Sequence, residues 1–72
     1  MKYLVIEIQK FPNGSMSTPS YAFDNENSAE AKYHAILSAA AVSSLPVHSA
    51  VLMNETGYVI RSQSYEHEDV SE

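Results

Sequence analysis

The stretch Lys2-Tyr3-Leu4-Val5-Ile6-Glu7-Ile8-Gln9-Lys10 decides the fold. Its residues alternate: Leu4, Ile6 and Ile8 fall on one side, and Tyr3, Val5, Glu7 and Gln9 on the other. That period of two, in a run rich in β-branched residues, is the mark of a strand. Pro12-Asn13-Gly14-Ser15 follows. Proline presets φ and Asn-Gly tolerates positive φ, so the chain turns there. Residues 16–23 resume a weaker strand that ends in Tyr21-Ala22-Phe23. Pro19 cannot donate to a ladder, which makes this an edge strand or a late-starting one. The two segments form a hairpin.

Working outward, Asp24-Asn25-Glu26-Asn27-Ser28 is a helix-start cluster. Asn27 with Glu30 three residues on fits a capping box, and Asn25 is the alternative cap. The spacing predicts a helix over 26–44. Ala29, Tyr33, Ile36, Leu37 and Ala40 make its apolar stripe. Ser43-Ser44-Leu45-Pro46 ends it, because the residue before proline avoids the α region. Residues 47–54 and 58–64 read as a second hairpin about Asn54-Glu55-Thr56-Gly57. The expected architecture is α+β, in the order ββαββ. One helix packs on one face of a four-stranded, mainly antiparallel sheet. Residues 1–64 form a single domain, and 65–72 an acidic, flexible tail.

The whole chain has 72 residues, nine acids against four bases, a net charge of −5, 44% apolar residues and no cysteine. That length allows one small domain whose core is marginal without help. Lack of cysteine removes disulfides, thiolate zinc sites and a cysteine nucleophile. The acidity is local: residues 1–61 hold five acids and four bases, for −1, and the remaining four acids follow. Lys2, Lys10, Lys32 and Arg61 are dispersed, so no basic patch exists to meet nucleic acid. No apolar run approaches the ~20 residues of a membrane span. The opening apolar run stops at Glu7, too short for a signal peptide. A cytoplasmic location is the expectation.

The sequence carries no catalytic signature. His34, His48 and His67 lack the spacing of a metal site. No serine lies in G-x-S-x-G, and Gly14 and Gly57 both belong to turns rather than to a phosphate loop. The five tyrosines would need clustered Lys or Arg to stack on bases; the four bases are dispersed and the chain is acidic, so a core or an interface suits them better. No catalytic residue, metal or cofactor is therefore expected.

The apolar content exceeds what one helix on one sheet can bury. Ala31, Ala35, Ala39 and Val42 lie opposite the helix's main stripe, and Tyr3 and Val5 lie opposite Leu4, Ile6 and Ile8. Alanines on a solvent face also serve simply as good helix formers. Taken together, Ala31, Ala35, Ala39, Val42, Tyr3 and Val5 are the candidate self-association surface. The expected assembly is a homodimer.

Lys32-Tyr33-His34, Leu37, Ala40-Ala41, Ser43-Ser44, Pro46, His48, Ala50, Gly57 and Tyr65-Glu66-His67 resemble a family of small uncharacterised proteins. Its members come from phage and prophage-like gene clusters of Gram-positive, often gut, bacteria. The opening Met1-Lys2-Tyr3-Leu4-Val5-Ile6-Glu7 is similar too. The resemblance covers nearly the whole chain and implies a mobile-element origin with no known enzymatic role. It also implies a shared structural task for Tyr33, His34, Pro46, His48 and the Tyr65-Glu66-His67 run. One hypothesis is a polar cluster of His34, His48, Tyr65, Glu66 and His67, formed when the tail folds back so that Tyr65 and His67 meet His34 or His48. The expected function is a non-enzymatic, self-associating structural or accessory protein. The alternatives are a regulatory or inhibitory module that docks on a host or phage protein and, third, a small metal-dependent or hydrolytic enzyme.

Overall fold

In the computed structural model, which describes residues 1–67, the quoted stretch is strand β1 (Tyr3–Lys10) at the heart of the sheet. One neighbour is the edge formed by β2 (Met16–Ser17) and β3 (Ser20–Phe23). The other is β4 (Val47–Asn54), which pairs in turn with β5 (Val59–Glu66). All pairings are antiparallel. β2 and β3 are one hairpin strand broken at Thr18-Pro19. Gln9 faces Ser17 and Ile6 faces Ser20, so the register runs through the break unshifted. Pro19 gives no N–H, yet its carbonyl still accepts from the Glu7 N–H at 2.9 Å.

Both tight turns use the same chemistry. Gly14 (φ 92°) and Gly57 (φ 93°) occupy the left-handed region that disfavours a Cβ. Asn13 Oδ1 accepts from the Ser15 N–H, and Asn54 Oδ1 from the Thr56 and Tyr58 N–H groups.

Helix α1 (Glu26–Ala41) is capped by Asn25, whose Oδ1 accepts from the Ser28 N–H at 2.8 Å. Of the two possible caps, the structure uses this one. The helix stops three residues short of the predicted end. The Val42 N–H bonds back to the Ala39 and Ala40 carbonyls, and Ser43 Oγ accepts from the Leu45 N–H in a local turn that competes with helix. Ala29, Tyr33, Ile36 and Ala40 are buried and Leu37 packs beside them, as the 3.6-residue period predicts. This helix is not long and apolar enough to cross a membrane.

The core beneath α1 joins Ala29, Tyr33 and Ile36 to Val5, Ala50 and Leu52. Tyr3, Tyr21, Phe23 and Ile60 close around them. Val5 and Leu52 are fully buried and face each other across β1 and β4. The expectation that Tyr3 and Val5 belong to an outward surface is therefore corrected. β3 and β4 are both antiparallel to β1, hence parallel to each other, and α1 is the crossover between them. Such crossovers are nearly always right-handed, so strand order selects the face the helix covers. That face is the one carrying Val5.

The first residues assigned to a flexible tail, 65–67, are instead held by the sheet. β5 extends through Tyr65 and Glu66, and the His67 N–H donates to the Pro46 carbonyl at 2.9 Å. The rest of the predicted tail, 68–72, lies outside the described residues.

Candidate functional site

Strand alternation sends the other parity of β1 and β4 to the face without a helix. Successive rows across the sheet can be read from the register. Ala22, Leu4 and Met53 form one row, followed by Ser20, Ile6, Val51 and Ser62. Next come Ile8, Ser49 and Ser64, then Met16, Lys10, Val47 and Glu66. Leu4, Ile6, Ile8, Val47, Val51 and Met53 thus form a continuous apolar band along the two central strands. Their strand neighbours half-bury them, but none belongs to the core under α1. Val59 extends the band at the turn end, 46% exposed. Serines flank it: Ser20 on one edge, Ser62 and Ser64 on the other. Ser49 Oγ donates to Ser64 Oγ at 2.8 Å, which satisfies both hydroxyls' local needs within the sheet. An apolar centre with a polar rim is the anatomy of a protein interface.

The size of the whole open face, band and rim together, can be estimated from sheet geometry. Four strands about 4.8 Å apart and eight residues at about 3.4 Å each give a face of roughly 400–500 Å². The apolar band on the two central strands takes up about half of that face, roughly 260 Å², and the polar rim takes up the rest. Two such faces in contact would remove about 1,000 Å², the lower bound of a specific interface.

On the helix side, the end of the sheet beyond the core is polar. His48 Nε2 lies 2.6 Å from Glu7 Oε2, and Gln9 Nε2 donates to that same oxygen at 3.1 Å. A carboxylate only accepts, so the imidazole proton is assigned to Nε2. The His48 side chain is 6% exposed and its Nδ1 is buried without a hydrogen-bond partner. Tyr65 lies directly opposite His48 in the ladder, and Gln63 Nε2 donates to its hydroxyl at 3.0 Å. The His67 ring stacks on Tyr65 (centroids 6.4 Å apart) and donates from Nε2 to the Ala40 carbonyl at 2.9 Å. That bond adds to the one the same carbonyl accepts from the Ser43 N–H in the helix's last turn.

The predicted polar cluster is therefore divided. His48, Tyr65 and His67 meet at one end of the sheet. His34 stands apart: it is exposed, 3.4 Å from Glu30 one helical turn away. Glu66 is exposed and faces the open side. Glu7, Gln9 and Gln63 complete the cluster and were not singled out from the sequence. Their shared parity with Val5 was the signal, readable only once the covered face is known. The carboxylate-oriented imidazole resembles half of a catalytic dyad. Its free nitrogen, however, is sealed from solvent and meets no hydroxyl. The pair instead ties β1 to β4. Among the described residues, no group of three His, Asp or Glu side chains is placed to hold a metal ion.

Ala31, Ala35, Ala39 and Val42 are exposed, Val42 by 86%, as the sequence reading expects. Arg61 lies over the helix's first half, its Nε donating to Glu30 at 3.0 Å. Glu30 holds the Arg61 guanidinium further into its charged form by hydrogen bond and charge. At the sheet's other end, Lys2 and Asp24 form an exposed ion pair that raises the lysine's pKa and lowers the aspartate's.

No protein-family model, curated protein or solved structure matches the chain.

Proposed function

We propose that this protein works by association, and that its working surface is the open sheet face rather than the helix. One observation supports the reading: Leu4, Ile6, Ile8, Val47, Val51 and Met53 are contiguous, and among the described residues no layer covers them. A layered fold of this size buries one face and normally leaves the other polar. Here the uncovered face is the more apolar of the two at its centre. The occupant is a second copy of this chain, which brings the same apolar centre and serine rim about a two-fold axis. With residues 1–61 near neutral, little charge repulsion opposes the approach. Two sheets stacked this way enclose a second core, which offsets the marginal one beneath α1. A small accessory or structural part of a mobile element, the setting the resemblance implies, accords with a chain that acts by assembling.

Native mass spectrometry over a dilution series tests this reading. The expected result is a dimer or a larger even-numbered species at tens of micromolar that dissociates on dilution. A single-chain species at every concentration would overturn it.

A further inference from the structure

The two edges of the sheet are unequal. The β2/β3 edge is interrupted by Thr18-Pro19 and divides into segments of two and four residues. Proline and shortness are the usual protections of an edge against strand pairing. The β5 edge has neither. It runs for eight residues, Val-Ile-Arg-Ser-Gln-Ser-Tyr-Glu, with no proline and no lysine. Its one irregularity, opposite Leu52/Met53, disturbs only its start. From Arg61 to Glu66 it pairs with β4 in unbroken register.

The ladder also shows which main-chain groups of β5 the described residues leave free. The His67 N–H donates to Pro46, so this pair is of the hydrogen-bonded kind. Antiparallel pairs alternate, so Arg61, Gln63 and Tyr65 bond inward to β4. Ser62, Ser64 and Glu66 turn their N–H and C=O groups outward.

We propose that β5 pairs antiparallel with β5 of a second copy, about a two-fold axis passing through Ser64. In this register Ser62 lies opposite the partner's Glu66, and Ser64 opposite the partner's Ser64. All three outward residues of each strand are then used, giving six main-chain hydrogen bonds. The Ser62 hydroxyl is placed to donate to the partner's Glu66 carboxylate. On the helix side, Gln63 meets the partner's Tyr65, and Arg61 the partner's His67. No formal like charges are opposed. Moving the axis to Glu66 sets two carboxylates against each other, which is unfavourable. Moving it to Ser62 draws the irregular start of β5 into the pairing. An axis perpendicular to the sheet keeps both helices on one side, so the product is one eight-position sheet. The contact uses different groups from the face-to-face contact proposed above and stands without it.

The cysteine-free chain makes the test direct. In a hydrogen-bonded antiparallel pair the Cα atoms are about 5.5 Å apart, within disulfide range. Ser64→Cys should therefore cross-link to its own copy in glutathione buffer. Ser62→Cys is the matched control: two copies of residue 62 lie four positions apart along the strands, about 13 Å. The expected result is Ser64→Cys dimers forming at least about tenfold faster than Ser62→Cys dimers, both read on non-reducing gels. The same preference is expected in an Ile6→Lys background, where the open face is spoiled. Equal rates for the two cysteines would overturn the proposal, as would loss of the Ser64→Cys preference in the Ile6→Lys background.

Discussion

Val5 and Ile6 are adjacent, similar in size and opposite in fate. Val5 is wholly enclosed between Leu52 and the helix, whereas Ile6 lies on the open face beside Val51. Replacing each by serine separates folding from assembly. Enclosing a valine side chain contributes about 1.5–3 kcal/mol, and a hydroxyl left in the core without a partner costs about 1–3 kcal/mol more. Val5→Ser should therefore destabilise the single chain by about 3–5 kcal/mol. That is a large part of the ~4–11 kcal/mol expected for a chain of this length. At about 4–8 °C per kcal/mol, Tm falls by more than about 12 °C, at every protein concentration. Ile6→Ser should cost the isolated chain about 1 kcal/mol or less, since water already reaches the site in the single chain. Its effect should instead grow with concentration, because bound copies stabilise the wild type by mass action. Thermal unfolding by circular dichroism from 2 to 200 μM measures both. If Ile6→Ser lowered Tm more than Val5→Ser at the dilute end, the assignment of faces would be refuted.

Other expectations are equally specific. Burial pushes the Tyr33 phenol above its ordinary value near 10, so the folded chain favours the neutral form. The associated stability is complete below that value and is lost as pH rises through the folded pKa. Tm should therefore drop as pH rises above about 10 in the wild type, and less steeply in Tyr33→Phe. Asn25→Ala removes the side-chain acceptor of the Ser28 N–H and should cost about 1 kcal/mol in urea unfolding, while Asn27→Ala should cost little. His48→Ala leaves the Glu7 carboxylate with Gln9 alone and should cost more than Glu7→Gln. A double-mutant cycle on the pair should give a coupling of about 0.5–3 kcal/mol.

The elements were legible because each is written in local chemistry. The 100° spacing of Ala29, Tyr33, Ile36 and Ala40 is the helix's buried face, and Asn-Gly and Thr-Gly mark the two turns. The alternation in β1 was equally plain, yet which side was inside was not. Both parities are apolar, so hydrophobicity alone does not rank them. The choice depends on strand order and on the side taken by the crossover, which are long-range properties. Alternation alone therefore places Tyr3 and Val5 on a surface as readily as Leu4, Ile6 and Ile8. The polar cluster has the same history. His48, Tyr65 and His67 come together only because β5 continues two residues beyond its predicted end and sets Tyr65 opposite His48. Glu7, their most consequential partner, reads as an ordinary solvent-side acid until β1 is seen to be central.

The central claim is that the apolar band on the open face joins two copies of the chain. Sedimentation equilibrium on wild type and Ile6→Lys at equal micromolar concentration tests it most directly, with circular dichroism to verify that the variant is folded. The lysine ammonium would have to be desolvated between two apolar faces, at a cost that one such contact does not withstand. The variant is expected to keep its fold and to have half the mass of the wild type. A folded variant with the wild-type mass would contradict it.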